Sequence, residues 1–228
     1  MFKSPESYMT IVNVLAKVKA GMTRNELRKA LGQDSSGSLS GKLEDLVNCD
    51  IIRKYHIHNK TTKKNSAIYQ LVDFYSLFYQ TFVSRAETEI GYWSNHIGTS
   101  EVNTWLGLSF ERVCLLHVQQ IKQALHIDRI STQFYSWRSQ KDMPKAQIDL
   151  VLDRADGIIN LFEIKYSEGD FRLDNDEAQK LQTRMAAFRN ETKTKKTLWP
   201  TLLTTYGLNV GRYSSVFVAV LTMDDLFL

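Results

Sequence analysis

Asp149, Glu163 and Lys165 are the residues of this sequence whose types and spacing could carry out chemistry. They lie on two apolar, β-branched runs that flank an Asp-Arg-Ala-Asp-Gly turn, and Asp-Gly between such runs indicates a β-hairpin. If the last three turn residues form the loop, with Gly157 left-handed, Asp149 stands opposite Glu163 on the neighbouring strand. Directly opposed like charges destabilise a sheet. A cation is therefore expected between the two carboxylates.

Lys165 lies two residues after Glu163, so the period of a strand places both side chains on one face. Mg²⁺ and Mn²⁺ prefer carboxylate oxygens and retain waters that can meet a phosphodiester. The D-x13-E-x-K pattern resembles the active site of the PD-(D/E)xK nuclease superfamily. The resemblance implies that Asp149 and Glu163 hold the cation and that Lys165 positions or activates the attacking water. A solvent-facing charge stripe on a half-buried hairpin is the alternative interpretation of the same residues.

A mostly apolar helix is predicted from Leu106 to Ala124, before the first strand of this region, and it carries Glu111. In the nuclease superfamily an acidic residue on that helix often completes the metal site, and the resemblance gives this role to Glu111. A capping role for Glu111, or a surface ion pair with Arg112 or another neighbour, is equally consistent with the sequence.

The sequence pattern of residues 105–228 predicts a series of helices and strands. They are the helix just described, strands over Ile130–Trp137, Ile148–Leu152 and Ile158–Tyr166, a helix over Asn175–Arg189, and strands over Thr197–Thr204 and Val216–Leu221. This is the αβββαβ core order of the restriction-endonuclease-like fold, followed by one more strand. In that superfamily the second helix commonly carries a residue that contacts the phosphate, and here Lys180 and Arg184 are the candidates for nucleic-acid binding. A solvated helix face is the alternative for both.

Residues 1–72 predict a winged helix-turn-helix. Three short helices, the second opened by a capping box from Thr23 to Glu26, precede two strand-like runs joined by a polar turn. The lysines of that turn, Lys60, Lys63 and Lys64, are predicted to contact nucleic-acid phosphates, although a solvated loop would have the same composition. The third helix offers no outward arginine for a guanine, which favours non-specific backbone contact or protein docking over base recognition.

The segment from residue 73 to residue 104 predicts a helical connector. The run Asp73–Val83 has bulky side chains nearly all round a helix, which predicts burial between larger units. Cys49 and Cys114 lack the CxxC spacing and lie in apolar periodic stretches, so both are predicted to be reduced core residues.

The 228 residues carry a net charge of +4, which permits an anionic partner such as DNA without requiring one. The sequence shows neither a signal segment nor an apolar run of membrane-spanning length, so a soluble, cytoplasmic protein that does not engage a membrane is predicted.

Several segments together resemble the carboxy-terminal half of the archaeal-type AAA+ ATPases. They are AIYQLVDFYSLFYQTFV, GLSFERVCL, QIDLVLDR and LFEIKYS. In that family a P-loop ATPase module precedes a winged helix and a DUF234-type nuclease-like domain. No GxxxxGK[ST] motif occurs in these residues, so no nucleotide site is expected. The chain is then either a fragment of a longer ATPase or a protein that acts beside a separate one.

The resemblance implies metal-dependent hydrolysis of DNA with Mg²⁺ or Mn²⁺ as cofactor and with non-specific nucleic-acid binding. A non-catalytic module that binds DNA or a protein and serves an ATPase is the main alternative. A third is an antitoxin or transcriptional regulator that uses the winged helix alone.

Overall fold

A computed structural model describes the protein over residues 5–18, 21–32, 37–57, 66–85, 91–139 and 146–227. These residues divide into two compact units, and the division falls between Asn103 and Thr104. Both units combine helices with a β-sheet, which confirms the predicted mixed α and β class.

The first unit contains three helices, a small sheet and two further helices. Its elements are α1 (Pro5–Ala16), β1 (Met22–Thr23), α2 (Arg24–Ala30), α3 (Gly37–Asn48), β2 (Ile52–Ile57), β3 (Ser66–Leu71), α4 (Phe74–Thr81), a 3-10 turn (Val83–Arg85) and α5 (Tyr92–His96). The strands are antiparallel, with β3 between β1 and β2. The predicted lysines Lys60, Lys63 and Lys64 lie outside the described residues.

The capping box predicted for α2 is present. The backbone N–H of Glu26 donates to the Thr23 hydroxyl, and the Glu26 carboxylate accepts from the Thr23 backbone N–H at 2.6 Å. This satisfies donors that the first turn of a helix leaves unpaired. Leucines of the three helices, among them Leu27 and Leu43, then pack against Leu71 of β3 in one core cluster.

Helix α4 is buried on one side only, which corrects the expectation that it is covered all round. Leu77 is 5% exposed and joins the core of the first unit, whereas Tyr75 is 73% exposed and Tyr79 is 40% exposed. Residues four apart share a helix face, so the two tyrosines follow the side that faces away from that core. The expectation for the cysteines is also wrong in part, because Cys114 is buried but Cys49 is exposed at the end of α3.

The second unit is a five-stranded sheet with helices on both faces. Its elements are α6 (Ser100–Leu116, which begins before the division), α7 (Val118–Ala124), β4 (Thr132–Arg138), β5 (Gln147–Arg154), β6 (Ile158–Lys165), α8 (Asn175–Thr192), β7 (Thr197–Thr204), a 3-10 turn (Ser214–Val216), β8 (Ala219–Thr222) and a 3-10 turn (Asp224–Leu226). The single helix predicted from Leu106 to Ala124 is wrong, because the chain leaves helical geometry at His117, whose φ is −106° and ψ is 30°.

The strands of this sheet lie in the order β4-β5-β6-β7-β8. The β4-β5 and β5-β6 pairs are antiparallel, and the β6-β7 and β7-β8 pairs are parallel. Phe110 of α6 packs with Phe162 on one face, and Phe188 of α8 packs with Leu161 on the other. Because β5 is antiparallel to β6 and β6 is parallel to β7, the start of β5 lies beside the ends of β6 and β7 at one edge of the sheet. We call it the acidic edge, after Asp149 and Glu163.

The turn between β5 and β6 has the predicted geometry. Gly157 has a φ of +87°, and the observed pair Val151↔Leu161 keeps the register expected from a loop of residues 155–157.

Replacing Gly157 with alanine is expected to lower the free energy of unfolding by about 1–2 kcal/mol, because a Cβ is strained at positive φ. Gly107→Ala is the matched control. Gly107 lies inside α6, where an added Cβ meets nothing within 4 Å, and alanine should there stabilise by roughly 0.5–1 kcal/mol. Urea denaturation measures both, and the same sign for the two variants would contradict the assigned turn.

Candidate functional site

Asp149 lies on a β-bulge of β5. Tyr135 of β4 pairs with Val151 and Trp137 pairs with Ile148, so Asp149 and Leu150 together oppose the single residue Ser136. The Ser136 hydroxyl donates a hydrogen bond to the Asp149 carbonyl at 2.7 Å. Bulges redirect a side chain where a strand must break its alternation. The bulge therefore changes the direction of the Asp149 side chain from the one that strict alternation along β5 would give.

Asp149 and Glu163 flank the point where β5 and β6 separate. The hydrogen-bonded register of the two strands runs from Asp153↔Ile159 to Val151↔Leu161. The predicted pairing of Asp149 with Glu163 is the extension of this register by two residues and lies beyond the last paired residues. The Gln147 side chain donates to Asp149 Oδ1 at 2.6 Å, which orients the carboxylate.

Glu163 is buried and is held by two cations. Its Oε2 lies 2.7 Å from a guanidinium nitrogen of Arg184, and its Oε1 lies 3.4 Å from Lys165 Nζ. Lys165 Nζ in turn donates to Glu177 Oε1 at 3.0 Å. Two carboxylates and two cations thus form one connected network, as the low polarity of a buried site requires.

The network keeps Lys165 protonated. Burial by itself would lower the pKa of this ammonium, but the Glu163 carboxylate and the hydrogen bond to Glu177 raise it above its ordinary value. At neutral pH Lys165 is therefore a hydrogen-bond donor and a positive charge, and it has no lone pair with which to act as a base.

Glu111 reaches the same group of charges from α6. Burial, followed by repulsion from Asp149, raises its pKa from 4.5 to about 7, and Glu163 adds to the rise, whereas Arg112 and Lys165 oppose it. Asp149 and Glu163, the other two carboxylates named from the sequence, are thus near enough to Glu111 to repel its ionised form. Burial contributes more to this rise in pKa than the repulsion from either carboxylate.

The donor set suits a hard divalent cation, which takes oxygen ligands. Within the described ranges, however, no group of three or more Asp, Glu, His or Cys side chains is arranged closely enough to hold a metal ion. The side chains of Glu111, Asp149 and Glu163 would have to draw closer to bind one, and Arg184 would have to yield its contact with Glu163 Oε2.

The two residues of α8 proposed to bind nucleic acid occupy different surroundings. Lys180 is exposed, and Arg184 is paired with Glu163 inside the site. Glu177, which holds Lys165, was not predicted from the sequence. Glu177 lies seven residues before Arg184, which is two helical turns, so both side chains lie on one face of α8. This spacing is the feature of the sequence that could have identified Glu177.

Comparisons with known proteins leave the chain without an assigned family. No protein-family model matches it. No curated protein matches it either. Among solved structures, it is similar to the crystal structure of a protein of unknown function, AF1548, at 19% identity and a TM-score of 0.33. The alignment covers 49% of this chain and 64% of that one, which is less than two thirds of its length. In the part of the chain that the structure describes, no helix is long and apolar enough to cross a membrane.

Glu111→Gln is expected to stabilise the protein more at pH 8 than at pH 5, by about 1–2 kcal/mol. The raised pKa of Glu111 means that the folded state binds more protons than the unfolded state between 4.5 and about 7. The free energy of unfolding of the wild-type protein therefore falls as the pH rises through that window, and Glu111→Gln removes this pH dependence.

Urea denaturation at the two pH values measures the difference between them. Glu44→Gln, on the exposed side of α3, is the matched control and should change stability equally at both. An equal gain from Glu111→Gln at pH 5 and pH 8 would contradict the burial and repulsion assigned to this carboxyl.

Proposed function

We propose that residues 105–228 form a restriction-endonuclease-like domain that hydrolyses DNA phosphodiester bonds with Mg²⁺ or Mn²⁺. The observation that supports this best is the contact of Lys165 Nζ with Glu163 Oε1 at 3.4 Å, at the edge of the sheet where β5 carries Asp149. Glu111 lies near enough for Asp149 and Glu163 to raise its pKa. We further propose that residues 1–72 form a winged helix that contacts nucleic-acid backbones, and that residues 73–104 connect it to the nuclease-like domain.

Each residue of the edge would have a separate task. Asp149 and Glu163, with Glu111, would hold the cation. The bound cation would supply an acidic water and offset the charge of the phosphate. Lys165, protonated and fixed by Glu177 at 3.0 Å, would orient the attacking water by donating a hydrogen bond. The same ammonium would stabilise the negative charge that grows on the phosphoryl oxygens in the transition state.

The first unit supports the proposed winged helix through its element order. Three helices precede the antiparallel pair β2-β3, whose connecting residues include the predicted phosphate-binding Lys60, Lys63 and Lys64. On β2, Lys54 is exposed and extends the basic character of that hairpin. The involvement of an ATPase, in the same chain or a separate one, is a proposal that rests on the sequence resemblance.

The competing proposal is a non-catalytic module that binds DNA or a partner protein for an ATPase. One observation favours it. Both oxygens of Glu163 already contact cations of the chain itself, Lys165 and Arg184. Such a closed network can serve as a purely structural link between β6 and α8.

Cleavage assays on linear, single-stranded and branched DNA test the nuclease proposal. Asp149→Asn and Lys165→Met are each expected to lower metal-stimulated cleavage by about a hundredfold or more, while the melting temperature moves by less than about 4 °C. Asp153→Asn is the matched control. It removes a carboxylate from the opposite end of β5, where Asp153 pairs with Lys196, and it should retain cleavage. A wild-type chain without metal-stimulated activity on any of these substrates would sink the proposal.

Mn²⁺ calorimetry distinguishes the two candidates. Arg184→Gln is expected to tighten Mn²⁺ binding by about three- to tenfold, because it removes a positive charge that competes for Glu163. Arg189→Gln, near the end of α8, is the control and should leave the affinity unchanged. The non-catalytic module predicts that wild type shows no cation binding that Asp149→Asn removes.

A further inference from the structure

A basic groove opens between the loops that leave β6 and β7. Its volume is about 620 Å³, within the roughly 300–1,000 Å³ typical of ligand clefts. The polar and aromatic side chains that line it include those of Arg172, Asn175, Asn209, Arg212 and Tyr213. None of these residues belongs to the group identified from the sequence.

Both loops leave the sheet at the acidic edge, because β6 and β7 are parallel and end side by side at Lys165 and Thr204. Phe171 fastens one loop to the other. Its backbone N–H donates to the Gly207 carbonyl at 2.7 Å, and its carbonyl accepts from the Asn209 N–H at 2.9 Å. The Phe171 ring also lies 6.0 Å from Lys165 Nζ. The groove is therefore built from the segment that packs against Lys165.

The first turn of α8 provides a second link between groove and site. Asp174 lines the groove, and its Oδ1 accepts from the backbone N–H of Glu177 at 2.8 Å. Glu177 is the residue that holds Lys165. Asp174 and Glu177 thus connect the lining of the groove to Lys165 through the start of α8.

The charges of the groove fit a polyanion. Arg172 and Arg212 are exposed, and neither forms an ion pair with a carboxylate in the described parts of the chain. Asp174 is the acid of the lining, and its Oδ1 is engaged by the helix backbone. Arginine presents a planar set of donors that matches phosphate oxygens.

Tyr213 indicates the form of the nucleic acid. It is half-buried in the lining and packs against an apolar cluster that contains Leu173, and the Arg212 guanidinium lies 5.6 Å from the centre of its ring. An aromatic ring beside a cation suits an unpaired base, which can stack on it while its phosphate meets the guanidinium. In a duplex, the bases are paired and stacked on each other.

From these contacts we infer that the groove binds an unpaired nucleic-acid strand next to the acidic edge, through phosphates at Arg172 and Arg212 and a base at Tyr213. This inference rests on the proposed function and assigns its substrate class as single strands or unpaired ends.

The test measures how a fluorescent 20-nucleotide oligo-dT and a 20-base-pair duplex bind to the Asp149→Asn variant. This variant is used so that the DNA is not cleaved during the measurement. Adding Arg172→Ala and Arg212→Ala together should weaken oligo-dT binding by about tenfold or more. The slope of log affinity against log salt should fall by about 1.4, or 0.7 for each phosphate that an arginine no longer neutralises. Arg129→Ala is the matched control. It removes an exposed arginine just before β4, near the opposite end of the sheet, and should change the affinity by less than about twofold.

Tyr213→Leu should weaken oligo-dT binding by about fivefold or more and leave duplex binding unchanged, because only an unpaired base can stack there. Tyr206→Leu, an exposed tyrosine of the same loop, should alter neither. Unchanged affinity and salt slope in the double arginine variant would overturn the groove. Equal losses for oligo-dT and duplex in Tyr213→Leu would overturn the assignment to unpaired strands.

The groove and the nuclease proposal fail separately. If wild type never cleaves DNA but oligo-dT binding depends on Arg172 and Arg212, hydrolysis is wrong and the groove stands. If wild type cleaves and the double arginine variant matches it in KM, kcat and binding, the groove is wrong and hydrolysis stands.

Discussion

The arrangement of the second unit depends on the ion pairs that hold the buried carboxylate Glu163 at one edge of the sheet. Two carboxylates, Asp149 and Glu163, are placed on neighbouring strands by the register of a single hairpin, and Glu111 approaches them from α6. Lys165 and Arg184 offset Glu163 directly. Burial, followed by repulsion from Asp149, raises the pKa of Glu111 to about 7. A buried carboxyl with a shifted pKa beside other charged groups is the kind of position where function is expected.

Helix α8 connects the charge network to the apolar core. Its buried Phe188 packs against Leu161 on one face of the sheet, and this packing sets the rotation of the helix. The same rotation then directs Glu177 toward Lys165 and Arg184 toward Glu163. Apolar burial of the helix, which needs no directional contact, thereby fixes two ion pairs whose directions matter. The loop that precedes α8 joins the same arrangement through Phe171.

The two faces of the sheet contribute differently to the edge. Helix α6 brings Glu111, whose ionised form is disfavoured, together with Arg112, which partly offsets it, whereas α8 brings Arg184, which pairs with Glu163. Between them, the bulge at Asp149 breaks the alternation of β5 and is stabilised by the Ser136 hydroxyl.

Local rules within the sequence determined the hairpin and the capping box. The period of two put Glu163 and Lys165 on one face, Asp-Gly predicted the left-handed Gly157, and Thr23 with Glu26 predicted the start of α2. Tertiary structure alone decided the bulge at Asp149, the helix break at His117, the exposed face of α4 and the pairing of Arg184 with Glu163. Those features depend on contacts between elements that are distant in the sequence. A local pattern of residue types does not specify which distant side chains will pack or pair with it.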